Sequence, residues 1–144
     1  MKPIQFFFET PAPAIKERNK LRSFLIKVLR ENQKVVDNIN VIFCSDSYLL
    51  SINKSFLNHD YYTDIITFDL SKNKKAPLQA EIYISVDRVK ENAITHQSTI
   101  KTELHRVIFH GFLHLVGYSD KTNSQQLIMR KEENKLLKRY FGLK

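Results

Sequence analysis

Tryptophan is absent from the 144 residues, cysteine occurs once, glycine three times and proline four times. A single cysteine excludes an intramolecular disulfide, and a reducing cytoplasm is the expected compartment. Cys44 follows Val41-Ile42-Phe43 with no activating neighbour in sequence, so a small buried hydrophobe is expected rather than a nucleophile. No apolar run approaches the roughly 18–20 residues that cross a bilayer, so no membrane segment is expected. The N-terminal stretch turns polar at Glu9-Thr10 without a small-residue cleavage site, and reads as a first strand rather than a signal peptide. Repeats, low-complexity tracts and linkers are missing too. One compact domain over residues 1–144 is the expectation.

What the chain does have is a core and a positive charge. Hydrophobic residues make up 42% and charged residues 26%, a balance that favours a globular fold over disorder. Against 15 acids stand 23 Lys and Arg, a net charge of +8. A field of that sign concentrates polyanions, although solubility alone would also explain it.

The pattern alternates between the two periods. Ile4–Phe8 is expected as a strand, and Pro11 and Pro13 to start a helix from Ala14 to about Glu31. That helix carries Lys16, Arg18, Lys20, Arg22, Lys27 and Arg30 with only Glu17 and Glu31 as acids. A solvated face is the plain reading, and phosphate contact the functional one. Ile39–Phe43 is a strand, Ser45 or Asp46 caps a helix through about Phe56, and Thr63–Leu70 is a strand with Ile66, Phe68 and Leu70 on one side. A basic loop with Lys72, Lys74 and Lys75 leads to a strand over Ala80–Ile84. Ser85 caps a helix from Val86 to about Thr95. A helix opened by Ser98 or Thr99 runs to about Val116 and stops at Gly117. Thr122-Asn123-Ser124-Gln125 fits a capping box for a last helix to about Tyr140, ended by Gly142. The order implies an α+β domain: a small mixed sheet of about four strands packed with about five helices.

The chemistry sits in the helix before Gly117. Val107–Val116 is almost wholly apolar, which marks a central buried helix. His110 and His114 are four residues apart, so both imidazoles leave the same face. A buried orphan lone pair costs about 1–3 kcal/mol, and one metal ion satisfies both rings at once. Two separately satisfied histidines are the competing reading. Gly117 tips the balance, because it lets the chain turn back and bring Asp120, six residues after His114, to the third-ligand place. Two histidines and an aspartate leave a fourth position open for water. In zinc peptidases the residue after the first His is a Glu base. Here it is Gly111, which cannot move a proton and is expected to leave room beside the metal for a bulky substrate or a close backbone.

His110-Gly111-Phe112-Leu113-His114-Leu115-Val116-Gly117-Tyr118 resembles the H-G-x-L-H-L-x-G-Y-D-H signature of the YbeY family of bacterial endoribonucleases. Thr63–Phe68 resembles that family's T-D-V-L-S-F strand, Glu81–Ser85 its G-D-I-x-I-S strand, and Met129 with Glu133 its M-x-x-x-E. The resemblance implies a zinc-binding endoribonuclease acting on single-stranded RNA, with roles in small-subunit ribosomal RNA processing, including 16S 3′ end maturation, and in ribosome quality control. It makes His110 and His114 catalytic as well as metal-binding. Asp120 replaces the family's third His, which opens the site to divalent metals other than zinc. Leu57 stands where the family has an Arg, with Lys54 and His59 as nearby substitutes or merely solvated side chains. Ala80 and Glu81 replace the family's Gly and Asp.

Asp60 and Asp64 are expected in turn and strand-capping roles, with orienting a metal ligand or acting as a base as the alternative. His105 and His96 are expected to be structural or solvated. Tyr61, Tyr62 and Tyr118 are expected to pack at the core or rim, although any could stack on an unpaired base. The rival functions are a metallopeptidase-like zinc hydrolase and a non-catalytic ribosome assembly factor with a structural metal.

Overall fold

The computed structural model describes residues 2–143; Met1 and Lys144, the ends of the expected domain, lie outside the described residues. The elements are β1 (Ile4–Phe8), α1 (Arg18–Glu31), β2 (Val36–Cys44), α2 (Asp46–Leu57), β3 (Ile65–Asp69), β4 (Leu78–Ser85), α3 (Val86–Thr95), α4 (Ile100–Leu115) and α5 (Asn123–Phe141). The sheet runs β1-β2-β4-β3; β1, β2 and β4 are mutually parallel and β3 pairs antiparallel to β4 at an open edge. This is the expected small mixed sheet with five helices.

Alternation along the strands separates two apolar layers. Ile39, Val41 and Phe43 of β2 and Leu78, Ala80, Ile82 and Ile84 of β4 join the main core with α1, α3, α4 and α5. Cys44, Leu49, Ile52 and Ile66 form a second cluster, where α2 packs with Phe68 and Tyr83. Ile66 and Phe68 do share a side, but it is the α2 side; Ile65 is the residue of β3 that packs on the main core. Each fully buried Leu, Ile or Phe contributes about 1.5–3 kcal/mol of transfer free energy.

Helix starts follow local chemistry, with one correction. Ser45, Ser85, Thr99 and Thr122 each accept a hydrogen bond from a backbone N–H three residues on, and Thr122 with Gln125 completes the capping box. The first helix, however, begins at Arg18 and not Ala14. The residue before a proline avoids the α region, and Ala12 instead accepts from the Ile15 N–H in a turn that buries both side chains. Glu17 then takes a left-handed conformation, φ 50°, just ahead of the helix. The third strand is shorter than expected, starting at Ile65 and ending at Asp69, and β2 is longer at both ends.

α4 is the centre of the molecule, with Leu104, Ile108, Phe109 and Phe112 almost fully buried. Gly111 faces the sheet, where a Cβ would lie 2.9 Å from Ile65 Cδ1 and 3.3 Å from Ile82 Cδ1. The absent side chain therefore serves a close helix–sheet approach. The expected room for a bulky substrate beside the metal is not what this glycine provides.

Candidate metal centre

His110 and His114 emerge from one face of α4 with ring centroids 4.6 Å apart. The helix stops as expected: the Tyr118 N–H donates to the Leu113 carbonyl, and Gly117 takes φ 111°, where a Cβ would be strained. The reversed chain then returns Asp120. Its carbonyl accepts from Gln126 Nε2 at 3.1 Å, so the start of α5 holds the loop in place.

The three ligand atoms form a small triangle. His110 Nε2 and His114 Nε2 lie 3.0 Å apart, and Asp120 Oδ2 is 3.2 Å from the first and 3.4 Å from the second. A tetrahedral site with bonds of about 2.0–2.1 Å has ligand–ligand edges of about 3.3–3.4 Å. The other ring nitrogens determine which atoms carry protons. His110 Nδ1 is 2.6 Å from Glu133 Oε2, and His114 Nδ1 is 2.9 Å from the Tyr118 carbonyl, which can only accept. Each Nδ1 thus carries an N–H, and in the neutral form each ring presents its Nε2 lone pair. With both rings neutral, two lone pairs and a carboxylate oxygen converge, and a divalent cation or a proton on one Nε2 satisfies them. The donor set of two imidazoles and one carboxylate fits zinc and equally other first-row divalent ions.

Burial would hold His110 below the usual imidazole value, but the hydrogen bond and charge of Glu133, with Asp120 and Asp64, raise it overall. Glu133 itself is buried on α5 and bound also by Arg106 Nη1 at 3.2 Å, while Arg106 reaches Asn134 Oδ1 at 2.8 Å. The Glu133–His110 contact is the carboxylate–imidazole support that orients a metal ligand. Neither Glu133 as an orienting group nor Arg106 emerges from reading the sequence. Its trace there is an acid in the buried stripe Met129, Glu133, Leu136, Leu137, Tyr140.

Two clefts meet at the donors. One, of about 660 Å³, lies between α3, α4 and α5 and takes in His96, Arg106 and Arg130; the other, of about 600 Å³, runs from the β3 edge past Leu57, His59 and Tyr61. Asp64, His110 and Asp120 border both. Burial raises the Asp64 carboxyl above its usual value against the pull of His110.

The other sequence candidates lie elsewhere. Lys16 and Lys20 line separate cavities with Tyr140 or with Arg18 and Arg22, and the Lys20 ammonium sits 4.8 Å from the Tyr140 ring centroid. Arg18 and Arg22 stack over Phe8 and Phe6 on the first strand. Lys72, Lys74 and Lys75 border neither cleft, and Lys54 pairs with Asp60 at 3.3 Å on the surface. The cations that do border the clefts are Arg106, Arg130 and Lys121. His105 is structural: buried, with Nδ1 2.7 Å from the Lys101 carbonyl and its ring stacked on Tyr140. His96 caps the end of α3 and faces Glu103 at 3.6 Å. Cys44 is fully buried, as expected, and desolvation with three nearby acids pushes its thiol up to about 12.

A three-donor candidate metal centre on a buried helix, open to two clefts in a small α+β domain, is the class of protein that fold and site define. The sequence profile described as Endoribonuclease YbeY matches residues 9–141, and the chain belongs to that family. It is 47% identical to an Endoribonuclease YbeY of Cytophaga hutchinsonii over 91% of each chain, and 40% identical to one of Karelsulcia muelleri over 91% of each. Among solved structures it is similar to the solution structure of a Thermotoga maritima protein, with TM-score 0.64 and 27% identity, over 96% of this chain and 89% of the other.

Proposed function

We propose that this chain is a metal-dependent endoribonuclease that cuts single-stranded RNA, with zinc as its metal and ribosomal RNA of the small subunit as its substrate, including maturation of the 16S 3′ end and ribosome quality control in the cytoplasm. The observation that carries this reading is the convergence of His110 Nε2, His114 Nε2 and Asp120 Oδ2 within 3.4 Å of one another. The name borne by the relatives, Endoribonuclease YbeY, supports the choice of RNA. No helix among the described residues is long and apolar enough to cross a membrane.

A bound divalent ion in such a site supplies an activated water near neutral pH and polarises a phosphate oxygen. The chain's own residues do the rest. Glu133 fixes the His110 ring through its Nδ1–H, and the Tyr118 carbonyl fixes His114. Lys121, Arg106 and Arg130 at the cleft walls hold phosphates close to the centre. Lys54 on the surface, the Lys72, Lys74 and Lys75 loop, and the more distant Lys16, Arg18, Lys20 and Arg22 would carry phosphates farther along the strand.

Gly111 packed on the sheet leaves no side chain for the peptidase base, which disfavours the metallopeptidase reading. Two clefts opening onto the donors disfavour a purely structural metal. The test compares wild type with His114→Ala on single-stranded RNA, with added zinc and with chelator, alongside elemental analysis of protein purified without added metal. Cleavage by metal-loaded wild type alone is expected. Equal cleavage by every preparation would remove the catalytic claim.

A further inference from the structure

The cleft along the β3 edge has an unusual rim. Tyr61 is 55% exposed, yet it is not a loose side chain. Its ring stacks on His59 with centroids 5.1 Å apart and planes 21° from parallel, and its hydroxyl is 3.0 Å from His59 Nδ1. The loop beneath is pinned from inside: buried Asn53 donates its side-chain amide to the Tyr61 carbonyl at 2.8 Å and accepts the His59 N–H on its own carbonyl at 3.1 Å. Both rings border the cleft that contains His110, His114 and Asp120.

The other tyrosines are committed differently. Tyr62 lies under the Arg88 guanidinium at 5.1 Å, and Tyr118 packs against the main core. Tyr61 is the one of the three that packs at the rim of the cleft containing the candidate metal centre.

We propose that the Tyr61–His59 stack is a binding platform for one unpaired nucleobase of the RNA substrate, adjacent to the candidate metal centre. This rests on the endoribonuclease reading and adds a substrate subsite to it. Every base offers a π face, so an aromatic platform binds without demanding a particular sequence. The ring is held by His59 and its backbone by Asn53, so little conformational freedom is lost when a base arrives. A duplex keeps its bases stacked on one another and cannot present a face to Tyr61, so the platform makes the cleft selective for single strands. Lys121 in the same cleft supplies a cation for the adjoining phosphate.

The test is equilibrium binding of a short labelled single-stranded RNA to metal-free protein, read by fluorescence anisotropy. Tyr61→Ala is expected to weaken binding about 5- to 150-fold, the range for losing one stacked base. Tyr61→Phe, which keeps the ring face but loses the hydroxyl contact to His59, is expected to retain most of the affinity, and Tyr61→Leu to fail as Ala does even if Ala disturbs the loop. An abasic nucleotide placed in turn along the strand should weaken wild type at one position, and there Tyr61→Ala should add nothing. Unchanged affinity in Tyr61→Ala and Tyr61→Leu, or a loss confined to binding of unstructured peptide, would overturn the platform. Cleavage with added zinc is assayed separately: wild type that binds through Tyr61 but never cuts would sink the nuclease reading and leave the platform standing.

Discussion

Replacing Glu133 by Gln perturbs the candidate metal centre without touching any of its three candidate ligands. Glu133 Oε2 accepts the His110 Nδ1–H at 2.6 Å, and Oε1 takes Arg106 Nη1 at 3.2 Å. Its side chain is only 6% exposed, so water cannot replace it well. Gln keeps the volume and one acceptor oxygen, which allows the ring to stay in place but removes the negative charge that raises the basicity of Nε2. Removal of such an outer carboxylate generally weakens metal affinity 10- to 100-fold. About tenfold is therefore expected for Glu133→Gln, and nearer 100-fold for Glu133→Ala, which frees the ring. With the Gln oxygen on the His110 Nδ1–H, its amide NH2 faces Arg106 Nη1, so both variants deprive Arg106 of its Glu133 acceptor and a loss of about 1–3 kcal/mol in metal-free stability is expected for each. Zinc affinity measured by competition with a chromophoric chelator, paired with denaturant unfolding of the apo protein, separates the two effects. A folded Gln variant that binds zinc within twofold of wild type would refute the contribution of the charge, and a folded Ala variant that does so would refute the orienting role.

Gly111→Ala sets about 1–3 kcal/mol of overpacking against Ile65 Cδ1 and a gain of about 1 kcal/mol in helix propensity, so a net loss of about 0–2 kcal/mol is expected. The loss should shrink in an Ile65→Val background, and a double-mutant cycle showing no such coupling contradicts the close approach. Because burial raises Asp64 above its usual 3.8, its ionisation costs the folded state, so its stabilising contribution is present below that pH and lost as pH rises through the raised value. Metal-free Asp64→Asn should thus be more stable than wild type at neutral pH, with the advantage vanishing below pH 3.8; identical melting curves across that range would refute it. Cys44, buried and held up at about 12, should resist alkylation at mildly alkaline pH in folded protein and react once denaturant is added; rapid labelling of the native form would contradict its burial.

Sequence by itself determined whatever depends on neighbours along the chain. The spacing of His110 and His114 fixes their common helix face, Gly117 permits the left-handed exit, Thr122-Gln125 caps the last helix, and alternation in the third strand puts Ile66 and Phe68 on one side. The same local reasoning misplaced the start of α1, because the burial of Ala12 and Ile15 in a proline-flanked turn is a gain visible only against the core. Tertiary structure alone decided which distant groups meet. Glu133 reaches His110 across 23 residues, Gly111 is required by side chains on β3 and β4, and the basic residues of α1 turn out to sit away from both clefts while Arg106, Arg130 and Lys121 line them. The reason is physical: caps, turns and periodicity act within a few residues and leave a mark in the string of letters, whereas packing of α4 against α5 and the sheet couples residues whose separation along the chain carries no signal of their contact.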